Sequence, residues 1–182
     1  MGDGHGDRPA RASRRHRADL YLRHRAASTG HPGRHRTGPD QAGANINGAH
    51  LKGAHLNDAD LNDANVTDAN LDTATLFSAN LTDTHLNGAD LTEANLLNAN
   101  LKGADLTSAG LSYANFNGAD LGHANLSDAD LNNADMAEAK LITVGQVVSA
   151  RPDSSTKLPK RLASDPQVQA RIAAVAKLPW IP

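Results

Sequence analysis

Between Ala44 and Thr143 the apolar residues fall in one unbroken phase of five. Ile46, Leu51, Leu56, Leu61, Val66 and Leu71 open the series, and Leu121, Leu126, Leu131, Met136 and Leu141 close it. Two residues before each centre stands alanine, from Ala44 to Ala139, with Thr84 as the one exception. A period of five suits neither regular element. A helix scatters such positions around its circumference, and a long strand sends them to alternating faces. A chain that turns a corner once per unit resolves the conflict. Each unit then points its centre and its alanine inward and its other three residues outward. One unit cannot bury its own apolar side, so stacked coils have to do it together.

The copies Ala59-Asp60-Leu61, Ala69-Asn70-Leu71, Ala89-Asp90-Leu91, Ala104-Asp105-Leu106 and Ala119-Asp120-Leu121 read A(D/N)LXX. In this motif the chain resembles the pentapeptide-repeat family over residues 44–143. The position before the centre departs from Asp or Asn at His50, His55, Thr75, His85, Gly110 and Lys140. It is expected to face out, so these departures should leave the fold intact. The resemblance implies an all-β fold, a right-handed quadrilateral β-helix with four units per coil and a small helical C-terminal cap. Twenty units then make about five coils, roughly 24 Å long at the ordinary inter-strand spacing.

With four units per coil, residues n and n+20 stack. Leu56, Leu76, Leu96, Phe116 and Met136 form one inner column. Ala64, Thr84 and Ala104 form another, in which the Thr84 hydroxyl needs a backbone acceptor. Asn47, Thr67, Asn87, Thr107 and Ser127 make an outer polar ladder, too irregular to favour ice binding. Phe77 and Leu97 stack between Asn57 and Asn117 as the one exposed apolar step expected on the rod.

The flanks differ in charge. Nine arginines against four aspartates make residues 1–40 +5. Fourteen acids against Lys52, Lys102 and Lys140 make 41–143 −11, and six basic residues against two acids make 144–182 +4. Residues 1–43 read as a disordered basic tail rich in Arg, His and Gly. A nucleic-acid-binding arm would want interleaved aromatics, which this stretch lacks, and its five histidines have no regular spacing for a metal. In 144–182, Val144, Gln146, Val147 and Val148 suggest a short helical turn. Asp165 and Pro166 suit an N-cap and first helical residue. That helix is expected to run to about Lys177 with Val168, Ile172 and Val175 on one side. The segment, with Trp180, reads as a C-terminal cap or a homodimer contact.

No catalytic, cofactor or metal site emerges. Asp58 with Asp60, and Asp128 with Asp130, recur because the motif places acids at outward positions, and His50, His55 and His85 fall on three different sides. Absence of cysteine excludes disulfides and thiolate chemistry. Leu20, Tyr21 and Leu22 are too short a run for a signal-peptide core or a membrane span, and the expected location is cytoplasmic. A non-catalytic protein-binding scaffold with an unknown partner is the first functional reading. The second is a DNA mimic. A charge of −11 over that rod is about −0.5 per Å, near the −1 per 1.7 Å of B-DNA. The resemblance supplies its target, DNA gyrase or topoisomerase IV. By side, starting from the one centred on Ile46, the acids number three, four, three and four. Asp60, Asp63, Asp83 and Asp120 on the fourth side are the candidate contacts of a mimic, and Phe77 and Leu97 those of a scaffold.

Overall fold

The structure, a computed structural model, describes residues 40–178. The readings made for the arginine- and histidine-rich stretch up to residue 39, and for Trp180, lie outside the described residues. The rest is a four-sided β-helix. Every bridge from Asp40↔Asp60 through Asp120↔Lys140 is parallel and joins residues twenty apart. The sides are numbered from the one centred on Ile46.

Each corner is a β-turn. The alanine N–H closes it on the previous centre's carbonyl, as Ala99 does on Leu96 at 3.0 Å. The third turn residue has a left-handed φ, 59° at Asn98, as a type II turn requires. Glycine is at ease there. At Gly103 (φ 71°) it also makes room, because a Cβ would overlap the Asp83 carboxylate of the coil before.

Leucine and alanine fill the interior. Leu76, Leu86, Leu96, Leu106 and Phe116 are fully buried, and each such side chain contributes about 1.5–3 kcal/mol. Thr84, also fully buried, donates its hydroxyl to the Leu61 carbonyl at 2.7 Å.

His50, His55, His85 and Lys140 are exposed as expected, but where the residue before a centre is Asp or Asn it does not simply face out, which corrects the expectation. Its Oδ1 folds back to accept the N–H two residues on, as Asn70 does from Asp72 (3.2 Å), Asp105 from Thr107 (3.0 Å) and Asn115 from Asn117 (3.0 Å). These are Asx turns, and they give the Asp/Asn preference a backbone cause. Where Thr75 breaks the rule, Asn57 of the coil before takes over and accepts the Phe77 N–H at 3.1 Å. Asn115→Ala is expected to lower stability by about 1 kcal/mol in urea denaturation.

Both ends of the repeat differ from the reading. The coil already includes residues 40–43: the N–H of Gln41 donates to Asp60 O at 2.6 Å and that of Gly43 to Asn62 O at 2.7 Å. Gln41 occupies a centre position and is fully buried. At the far end, Leu141 is not a centre. It has φ 55° and is 62% exposed, and Ile142, 1% exposed, takes the inner place. The one-residue slip leads into α1 (Val144–Ser149), where Thr143 and Gln146 form a capping box. The Gln146 amide also donates to the carbonyls of Leu121 and Ala124 at 2.8 and 2.9 Å.

The chain then rejoins the solenoid. Arg151 bridges Asp130 and Lys157 bridges Asp135. The Thr156 hydroxyl donates to Leu131 O at 2.8 Å, the role Thr84 plays inside the rod. Ala150-Arg151-Pro152 and Thr156-Lys157-Leu158 are therefore two degenerate repeat units in a sixth, partial coil. Burial pushes the Asp135 carboxyl up. The Lys157 ammonium at 2.9 Å and the N–H of Ala137 outweigh it and hold the group below its ordinary value. Helices α2 (Lys160–Ala163) and α3 (Pro166–Val175) close the end, with Val168 fully buried. Asp165 caps α3, accepting from Gln167 and Val168.

Candidate partner-binding surface

The four acids of the fourth side separate into two kinds. Asp60 and Asp120 precede their centres and are turned to the backbone. Asp60 is only 8% exposed and accepts the Asn80 amide at 2.8 Å. Asp120 is half-buried and accepts the Gly122 N–H at 2.9 Å. Asp63 and Asp83 stand exposed at left-handed corners. The expectation of four outward charges in one row is corrected to two. The same division holds around the rod. Asp90, Asp105, Asp130 and Asp135 are half-buried with an oxygen on a turn N–H. Asp63, Asp68, Asp83, Glu93, Asp128 and Glu138 are the exposed acids, spread over all four sides.

The third side is different in kind. Across residues 74–78, 94–98 and 114–118 it carries no charged side chain. Asp58 bounds this panel on one side, and Asp135 and Glu138 on the other. Phe77, 38% exposed, is the first turn residue after the centre Leu76, and Leu97, half-buried, is its neighbour in the next coil. Asn95 and Asn115 face the same way but have their oxygens committed to Leu97 N–H and Asn117 N–H. Tyr113, 59% exposed, sits at the corner where this side begins. Phe77 and Leu97 are thus not the one exposed apolar step. Tyr113 and Leu141 escaped the reading, the first because corner positions were read only for charge, the second because the slip after Lys140 leaves no mark in the period.

Among the described residues no group of three or more His, Cys, Asp or Glu side chains could hold a metal ion. None of the described helices is long and apolar enough to cross a membrane. His123 is exposed, and among the described residues no hydrogen bond joins it to Asp83.

A family model for pentapeptide repeats matches eight copies, over residues 42–76, 74–112 and 109–144. The chain is a pentapeptide-repeat protein. Its fold is the right-handed quadrilateral β-helix of that family. Among solved structures it is similar to Alr5209, a pentapeptide repeat protein from Nostoc Pcc 7120, at 31% identity. That match spans 70% of this chain and 81% of that one, with a TM-score of 0.40. It is similar to the pentapeptide repeat protein Rfr23 from the cyanobacterium Cyanothece 51142 at 26% identity, spanning 65% and 90% of the two chains, with a TM-score of 0.39. A third likeness is to QnrB1, a plasmid-mediated fluoroquinolone resistance protein, at 17% identity, 76% and 78% coverage and a TM-score of 0.34. No curated protein matches the chain.

Proposed function

We propose that this pentapeptide-repeat protein is a non-catalytic scaffold that binds a protein partner through its third side, at Phe77 and Leu97. The observation that carries the reading is the uncharged three-coil panel on a rod that elsewhere carries acids on every side. An aromatic ring 38% exposed, held on a backbone with ladder bonds above and below it, is a pre-ordered contact. It needs little side-chain ordering on binding. The neutral polar rim of Thr75, Asn95 and Asn117 fits an interface whose core is depleted in charge.

The DNA-mimic reading, with DNA gyrase or topoisomerase IV as partner, is the competitor. It draws on outward charge, and the turning of Asp60 and Asp120 toward the backbone weighs against it. The test separates the two. A photo-crosslinking side chain at position 77, in the full-length chain, is expected to trap one protein from extracts of cells that express it. The same group at Ser108, on the first side, is expected to trap none. Leu97→Asp should abolish the crosslink, and added salt should leave it in place. Inhibition of gyrase supercoiling that fades with salt, is lost in Asp63→Lys/Asp83→Lys and survives Phe77→Ser would instead establish the mimic.

A further inference from the structure

We propose that Asn47 is a site of spontaneous covalent modification, deamidating through Gly48 to aspartate and isoaspartate. The described rod contains three Asn-Gly pairs, Asn47-Gly48, Asn87-Gly88 and Asn117-Gly118. Each occupies the two turn positions after a centre, and φ at the three glycines is 61°, 68° and 71°. In the reaction the glycine amide nitrogen attacks Cγ of the asparagine. A C–N bond forms, the carboxamide nitrogen leaves as ammonia, and a five-membered succinimide results. Water then adds to either ring carbonyl and opens it to aspartate or isoaspartate. Water is the only co-reactant. Glycine, with no Cβ, obstructs the attack least.

Local sequence makes the three pairs alike, and the fold makes them different. Each glycine N–H is held by a carbonyl of the next coil: Gly48 by Thr67 (2.8 Å), Gly88 by Thr107 (2.9 Å) and Gly118 by Glu138 (3.1 Å). Attack therefore requires the turn to open. Asn87 and Asn117 are also held from the coil before, their carbonyls accepting from Asp68 (3.1 Å) and Asn98 (3.0 Å). Their side chains are engaged as well. Asn87 Oδ1 accepts the Thr67 hydroxyl at 2.9 Å, and Asn117 Oδ1 accepts the Glu138 N–H at 3.0 Å. Asn47 is exposed, in the first described coil. Among the described residues neither its carbonyl nor its side-chain amide has a partner. A turn held from one direction opens more readily than one held from two.

The product adds one negative charge at this end of the rod. In the isoaspartyl form the backbone runs through an extra methylene, and the Gly48 bond to Thr67 cannot keep its geometry.

The test is to age the full-length chain at mildly alkaline pH and map aspartate and isoaspartate at all three positions by mass spectrometry. Asn47 is expected to react roughly tenfold or more faster than Asn87 and Asn117. In urea-unfolded chain the three should react alike. Asn47→Thr, which copies Thr67 of the same ladder, should abolish the native-state product and leave the melting temperature unchanged. Reaction at Asn87 or Asn117 as fast as at Asn47 would overturn the proposal. So would native Asn47 staying intact over the time in which the unfolded chain reacts.

Discussion

Leu96→Ala is expected to lower the stability of the rod by about 2–5 kcal/mol. Leu96 lies in the third-side inner column between Leu76 and Phe116, and all three are fully buried. Removing three of its carbons leaves a void that the neighbours are poorly placed to fill. The backbone above and below is fixed by ladder bonds, Leu76 N–H to Asn95 O at 2.8 Å and Leu96 N–H to Asn115 O at 2.9 Å. The leucines of adjoining sides, Leu91 and Leu101, are themselves fully buried and packed in columns of their own. Collapse is blocked in every direction, which places the cost at the lasting-cavity end of the range. Leu96→Asp should unfold the coil altogether, since a buried carboxylate there has no donor. Urea denaturation followed by circular dichroism makes the measurement, and an unchanged midpoint for Leu96→Ala would contradict the stacking described.

Gln41→Leu should act in the opposite direction, raising stability by about 1–3 kcal/mol. Among the described residues Gln41 is the first of the inner column that continues through Leu61, Leu81 and Leu101. It is fully buried, and neither its Oε1 nor its Nε2 has a hydrogen-bond partner among the described residues. A buried amide with nothing to bond loses its water without compensation. Leucine has nearly the same size and is the residue the column uses at 61, 81, 101 and 121. The substitution also keeps the backbone N–H of residue 41 free to reach Asp60 O. A rise in melting temperature is the expected result. A fall would mean that the Gln41 amide is paired after all.

The legibility of this chain follows from how strictly its period acts. A phase of five with alanine two places ahead was enough to require a corner in every unit, while the four sides and the n, n+20 register came with the family resemblance that the motif carries. It was also enough to anticipate the backbone acceptor for Thr84, because nothing interrupts the pattern between Ala44 and Lys140. The errors cluster where a residue's type and its surroundings point in different directions. Leu141 is in phase and apolar, yet the coil slips one residue before α1 and Ile142 goes inside. Asp60 carries a charge at a nominally outward position, but the Asx turn draws it to the backbone. Gln41 has the wrong polarity for a centre, so the sequence pattern excluded it, while ladder bonds to Asp60 and Asn62 hold that segment in the coil. Ala150-Arg151-Pro152 and Thr156-Lys157-Leu158 were illegible as repeat units for a related reason. Their spacing is six, and only the bridges to Asp130 and Asp135 reveal it.

The twenty-residue offset of the bridges has a consequence for how such a chain can change length. Duplicating one full set of four units would add a storey of about 4.8 Å and leave every later residue over the same neighbour as before. Duplicating a single unit would add the same kind of sequence, yet rotate everything beyond it by a quarter turn. Placed between residues 78 and 114, such a unit would leave the Phe77 panel no longer continued by Asn115 and Asn117, and the cap would meet a different set of column ends. Growth in whole storeys preserves the pattern displayed on each wall, whereas growth in single units reshuffles it.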